Sequence, residues 1–294
     1  MRLNLTILSV CLFGLNAGIV YAQSADVLTG AQIMQEVQQR NSRQNPVYEE
    51  QTVILTDQSG NRDTRNVRSY IHTDKSGNTR YLLIFDTPVD VHGVALLANR
   101  STTGQVSVNL YLPATGKEQM QSYDPGAEGN LVSTDFSLEQ LLGDPIEQYQ
   151  YVLAGQQKTG VITHYLVDVY RNGVNVATTR PLHRHYVRQD SFFITRTDYF
   201  DAAGKLQKQK TLFDLKQTGG GSWHAGMILM QDRVTNHTTL IKNNKTVFSV
   251  DYVPDEVFSN EWLYRNQPPI VAVQTGETGS EAELSVPSAN TGVQ

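Results

Sequence analysis

The sequence predicts a mainly β protein, a strongly curved, incomplete antiparallel β-barrel with a few helices covering its concave face. Three observations carry this expectation. Apolar and polar residues alternate through most of the chain, the period of a half-buried strand. Tight-turn sequences, Gln58-Ser59-Gly60-Asn61 and Lys75-Ser76-Gly77-Asn78 among them, separate consecutive alternating runs, which marks hairpins rather than strand–helix–strand units. Helical patterning is confined to two or three short stretches. A sheet of this many strands then has to curl or close to cover its apolar faces and edges.

The elements follow in order. Met1-Arg2, an apolar run over 3–20 and Val20-Tyr21-Ala22 read as a cleavable export signal over 1–22, cut after Ala22. Asn4, Thr6, Ser9 and Asn16 interrupt the run, whereas a spanning helix needs roughly 20 predominantly apolar residues. Export places the mature chain in the periplasm. The one cysteine, Cys11, lies inside the signal, so the mature domain must be stable by core burial without disulfides. Thr29 caps a helix over 30–41 with Ile33, Met34 and Val37 on one face. Strands follow with Val53 and Leu55, with Val67, Ser69 and Ile71, with Tyr81, Leu83 and Phe85, over 94–98, and with Val106, Val108, Leu110 and Leu112. Over 135–144 the period changes: Ser137 precedes Leu138, Leu141 and Leu142, a short amphipathic helix within a loop. Strands resume over 149–153, 161–170, 183–187, 192–200 and 206–215. The last two are expected over 227–234 and 246–253, with Lys242-Asn243-Asn244 as the turn between them. The residues from 23 to 266 read as a single domain, and 267–294, rich in Pro, Gly, Ser and acidic residues without an aromatic, as a flexible low-complexity tail.

Composition and motifs exclude more than they include. The formal net charge is −5 and no basic run is present, which argues against a nucleic-acid partner. There is no Gly-x-Ser-x-Gly elbow, no phosphate loop, no His-Glu-x-x-His and no cysteine nucleophile; Gly219-Gly220-Gly221 lacks the lysine and helix that phosphate binding needs. His183 and His185 are the best metal candidates, because alternate strand residues share a side. No third and fourth ligand is evident and Arg184 and Arg188 stand beside them, so two solvated histidines are the ordinary reading. Asp86 and Asp90 flank Pro88, and with Asp135 and Asp144 they lie at strand ends and turns where capping is the usual reason for Asp. No enzyme activity, metal or cofactor is expected.

Apolar surface remains. Tyr81, Leu83, Phe85, Leu96, Val108, Leu110, Leu112, Phe193, Met227, Leu229 and Phe248 are candidates for the inward face, with Leu138, Leu141 and Leu142 as a plug. Position by position a filled core is the commoner fate of such residues. Few helices are available to fill a large sheet, so the set reads as the lining of a residual apolar cavity.

Several segments resemble a known family. Thr87-Pro88-Val89-Asp90-Val91-His92-Gly93-Val94-Ala95-Leu96-Leu97, Leu110-Tyr111-Leu112-Pro113-Ala114, Ser133-Thr134-Asp135-Phe136-Ser137-Leu138-Glu139-Gln140-Leu141, Tyr199-Phe200-Asp201 with Gly204-Lys205-Leu206, and Asp255-Glu256-Val257-Phe258 resemble, in order, motifs of the outer-membrane lipoprotein-sorting, LolA-like proteins. The resemblance implies an incomplete, strongly curved β-barrel with helices as a lid over an apolar cavity. It also implies a non-enzymatic carrier of acyl-chain lipid or lipoprotein, with an inner-membrane lipid exporter as a further partner and no stable membrane insertion. One departure stands out: Ala114 is followed by Thr115, Gly116, Lys117, Glu118, Gln119 and Met120, where the family commonly places several basic residues. The alternative is a module of the same fold with a filled core, docking an envelope transporter without carrying lipid.

Overall fold

The computed structural model describes residues 28–41, 44–112, 120–122, 130–131, 134–143, 145–218 and 221–265. The expected signal at 1–22 with Cys11, Asp144, Gly219-Gly220 and the tail at 267–294 lie outside them. Three helices are described, α1 (Gly30–Asn41), α2 (Leu138–Leu142) and α3 (Asn260–Arg265). The strands are β1 (Val47–Thr56), β2 (Arg62–Thr73), β3 (Thr79–Thr87), β4 (Ala95–Arg100), β5 (Val106–Tyr111), β6 (Met120–Ser122), β7 (Tyr149–Thr159), β8 (Ile162–Arg171), β9 (His183–Arg188), β10 (Ile194–Phe200), β11 (Leu206–Gln217), β12 (Trp223–Asp232) and β13 (Thr238–Val247). They form one sheet in the order β6-β5-β4-β3-β2-β1-β13-β12-β11-β10-β9-β8-β7.

This order is a meander broken once. The chain runs outward from β1 to the edge strand β6, crosses to the opposite edge at β7, and returns hairpin by hairpin until β13 pairs with β1. The turns are built locally. In the β1–β2 turn the Asp57 carboxylate accepts from the amides of Ser59 (2.8 Å) and Asn61 (2.9 Å) and from the Asn61 side chain. Asp74 repeats this in the β2–β3 turn with Ser76 and Asn78. These bonds, the side-chain amides first, hold both carboxyls below their usual range.

The expected strongly curved, incomplete barrel is corrected here. The sheet is neither closed nor strongly curled; β6 and β7 are its two ends and do not pair. The physical reason is that layers, rather than curvature, cover the apolar faces. On what we term the front face, Val53, Val67, Leu83, Phe85, Leu96 and Val108 pack with Leu131, Phe136 and Leu138 of the crossing segment that leads from β6 to β7. On the back face, Tyr48, Tyr70, Leu82, Ile84, Ala95 and Leu97 pack under Val253, under Val257 and Phe258 of the 3-10 turn Asp255–Phe258, and under Leu263 of α3. With both faces of β1–β5 buried this way, closure is not needed to hide apolar surface.

The last hairpin also differs from expectation. Lys242-Asn243-Asn244 lies inside β13, and the turn falls before Thr238. The asparagines are tolerated in a strand because they are bonded across it. Asn243 accepts from Gln51 (2.9 Å) and donates to the Ala225 carbonyl (2.9 Å), and Asn244 donates to Thr52 (2.8 Å). Gln51 and Asn243 belong to a polar group that includes the buried Glu49 and the half-buried His224, whose side chains meet at 3.1 Å.

Candidate functional site

Two covering elements leave a gap over the β7–β11 half of the front face. The first is α1. Thr29 caps it reciprocally with Gln32, the Gln32 amide donating to Thr29 Oγ1 (3.2 Å) and the Thr29 amide to Gln32 Oε1 (2.8 Å). Ile33, Met34 and Val37 then face Val167 and Val187, with Tyr151, Leu153, Tyr165 and Ile194 around them. Close approach requires a glycine at the start, since a Cβ on Gly30 would stand 2.6 Å from the Tyr151 carbonyl oxygen. At the far end Arg40 donates to the Ser191 carbonyl (2.9 Å) and lies over the Phe192 ring, 4.5 Å from its centre.

The second is α2, again with a capping box: the Gln140 amide donates to Ser137 Oγ (3.2 Å) and the Ser137 amide to Gln140 Oε1 (2.9 Å). The sheet grips this crossing segment by polar bonds. Lys210 Nζ donates to the Gln140 carbonyl (2.8 Å) and Lys208 Nζ to the Asp135 carbonyl (2.9 Å) and Asn130 Oδ1 (2.6 Å). Arg100 reaches the Gly143 carbonyl. Asp135 is buried and bonded to Thr239 Oγ1 (2.7 Å); loss of solvent pushes its carboxyl up, against the opposing pull of that bond.

Between α1 and α2 lies a cleft of about 910 Å³, within the range of small-molecule sites. Met34 and Val37 form one wall, Leu141, Leu142 and Gly143 the other, and Tyr149, Tyr151, His183, His185, Thr197, Tyr199, Lys210 and Leu212 the floor, with Phe193 at its side. The floor histidines are not solvated, contrary to the ordinary reading of His-x-His: each is 6% exposed. His185 Nδ1 shares a hydrogen bond with Thr197 Oγ1 (2.9 Å), the two imidazoles lie 4.8 Å apart edge to face, and the Tyr199 ring stands 5.4 Å from His183. Among the described residues no group of three or more His, Cys, Asp or Glu side chains could hold a metal ion.

The residues expected to line a lipid cavity fall into four places. Tyr81, Leu83, Phe85, Leu96, Val108 and Leu138 are buried in the packed front-face core, and Leu110, on the same side as Val108, is half-buried. Leu141, Leu142 and Phe193 line the cleft. Register turns Met227 and Leu229 to the back face, because Ile228 and Met230 are the residues packed on the front core. Phe248 follows β13 with its ring 5.5 Å from that of His224, and Leu112 is half-buried just beyond β5. Sequence reasoning left Tyr149, Tyr151, Thr197, Tyr199 and Lys210 out of the set. Alternation in Lys208-x-Lys210 and His183-x-His185 is the one local sign that polar side chains share a face here.

Comparison with known proteins was made against this geometry. A family model whose description reads "Uncharacterized protein" matches residues 77–265, more than half of the chain. No curated protein matches it. Among solved structures, a domain described as an outer membrane lipoprotein-sorting protein, from Vibrio parahaemolyticus, superposes with a TM-score of 0.71 at 21% identity, covering 80% of this chain and 97% of its own. A DUF1329 family protein from Desulfovibrio piger gives 0.70 at 21% identity with the same coverage. A LolA superfamily protein from Nitrosomonas europaea gives 0.61 at 12% identity, covering 80% of this chain and all of its own. The likeness to each is one of fold. No helix among the described residues is long and apolar enough to cross a membrane.

Proposed function

The chain belongs to the family matched over residues 77–265, and on that footing we propose that it is a non-enzymatic periplasmic carrier that takes an acyl chain of a lipid or lipoprotein into the cleft between α1 and α2. The observation that carries this reading is the cleft itself. It is large enough for a ligand, and Met34, Val37, Leu141, Leu142, Phe193 and Leu212 give it apolar walls. Each methylene moved from water onto such walls contributes roughly 0.8 kcal/mol, so a chain of ordinary lipid length has ample driving force without covalent chemistry. The description of the Vibrio domain as lipoprotein-sorting and the export signal expected at 1–22 agree with this role.

The wall formed by α2 suits exchange of cargo. It is five residues long; Leu138 anchors it in the front core, while Leu141 and Leu142 are half-buried and line the cleft, so these two side chains can repack around an entering chain while the anchor stays in place. A fluorescent fatty acid should gain emission on mixing with the purified protein, and native mass spectrometry of protein taken from its own periplasm should show bound lipid. Absence of both would overturn the carrier reading. It would leave the docking module, for which the open edge of β7 offers a strand to pair with a partner's.

A further inference from the structure

The floor of the cleft is chemically unlike the apolar core of the front face. Two adjacent rows cross the sheet there. One runs His183–Tyr199–Lys208, the other His185–Thr197–Lys210, each residue directly opposite the next in the strand register. All six side chains carry a hydrogen-bond donor in at least one ordinary protonation state, and none is acidic. Five of them, all but Lys208, line the cleft. Further along the same face, in β1–β5, the corresponding positions are Val53, Val67, Leu83, Leu96 and Val108. Placing two imidazoles and an ammonium on a buried floor costs desolvation, and a filler of aliphatic core would not need them.

We infer that His183, His185, Tyr199 and Lys210 form an anion-recognising subsite, which takes the charged oxygen end of an amphiphile, a carboxylate or phosphate, while its acyl chain lies against α1 and α2. This rests on the carrier reading and adds which end of the cargo is held at the floor. The chemistry fits in three ways. Imidazole and phenol donors are rigid and set by the sheet, so they lose little freedom on binding an oxygen. The Lys210 ammonium has three hydrogens, one of which is directed to Gln140, so it couples the headgroup to the position of α2. Three carboxylates line the cleft, Asp74, Glu139 and Glu147, none of them in the two floor rows; Asp74 is engaged by the amides of its own turn, and Arg100 and Arg171 stand in the same lining.

The test compares a fluorescent fatty acid with its methyl ester of identical chain, titrated into the intact protein. The acid should bind at least about tenfold more tightly, the worth of one charge-assisted hydrogen bond. In the double variant His183→Leu, His185→Leu, which removes two donors and leaves Tyr199 and Lys210, the acid's advantage over the ester should shrink severalfold; an undiminished advantage would overturn the part given to the histidines. A large excess of inorganic phosphate should not displace the acid, because the chain supplies most of the affinity; displacement would overturn recognition of an amphiphile in favour of a bare anion. Equal binding of acid and ester by the unaltered protein would overturn the subsite and leave the carrier standing. Binding of neither would remove the carrier reading itself. The unaltered protein decides between these outcomes even where the double variant does not fold.

Discussion

The two ends of the sheet solve burial differently. In β1–β5 both faces carry an apolar cluster and both clusters are covered, by the crossing segment in front and by the last 3-10 turn and α3 behind. In β8–β11 the front face carries a polar floor beneath a cleft, and the back face carries a ladder of charges. Arg184 grips Asp168 through two bonds (2.6 and 2.9 Å), Arg196 grips Asp198 likewise (2.7 and 2.6 Å), and Tyr186 and Gln209 add to Asp198. Apolar burial is worth about 25 cal/mol per Å², whereas partly exposed ion pairs contribute little. The first region therefore holds the fold, which leaves the second free to be open and polar where a ligand would sit.

The sharpest way to break that comparison is to truncate one phenylalanine in each region. Phe85 is 2% exposed in the front core, and Phe85→Ala should cost about 3–5 kcal/mol in denaturant unfolding. Phe193, half-buried beside the cleft, should cost under about 2 kcal/mol on the same substitution. Equal losses would show that the cleft half shares the burden. Next in size is the seat of α1. Gly30→Ala forces a methyl against the Tyr151 carbonyl, so the helix must shift, at about 1–3 kcal/mol. Its signature should be a changed affinity for fatty acid together with the loss of stability, read in one titration and one melt.

How much of this was legible in the sequence follows the range of the forces. The bounds of α1, the capping of α2 by Ser137 and the Asp57 and Asp74 turns depend on residues within four positions, and the sequence displays them. The openness of the sheet is decided by Val257, Phe258 and Leu263 folding back onto β1–β4 from the far end of the chain, which no local period reports. In Met227-Ile228-Leu229-Met230 both alternating sets are apolar, so the pattern shows a strand without showing which side faces the core. The Lys242-Asn243-Asn244 stretch carries turn composition, yet its amides are satisfied by Gln51, Ala225 and Thr52 across two strands. Of the residues expected in the cavity, Leu141, Leu142 and Phe193 line the cleft; His183-x-His185 displays a shared side but not its burial, because the polar floor is assembled from β9, β10 and β11 by register.

A smaller effect tests how the crossing segment is held. The Asp135 carboxyl titrates above its usual range because it is buried. The folded state then binds its proton more tightly than the unfolded chain does. That contribution to stability is fully present below the unfolded value of about 3.9 and is lost as pH rises through the folded value. Asp135→Asn keeps an oxygen for Thr239 and removes the charge. The variant should match the native protein near pH 3 and melt at a higher temperature than it does at pH 8. A lower melting temperature at pH 8 would mean that the Lys208 ammonium outweighs burial and that the segment is held by charge.

The smallest expected change in stability sharpens the comparison most. Gln38 is exposed on α1 and faces the cleft, so its side chain supports no core, and exposed positions of this kind usually move stability by less than about 0.5 kcal/mol. Gln38→Trp puts an indole into the space where an acyl chain would run. The melting curve should therefore stay where it is while fatty-acid uptake falls steeply. Loss of stability without loss of uptake would place the chain elsewhere on the front face, and loss of neither would remove the cleft as the site. Separating the two readouts at one residue is possible only because packing and opening are assigned to different ends of the same sheet.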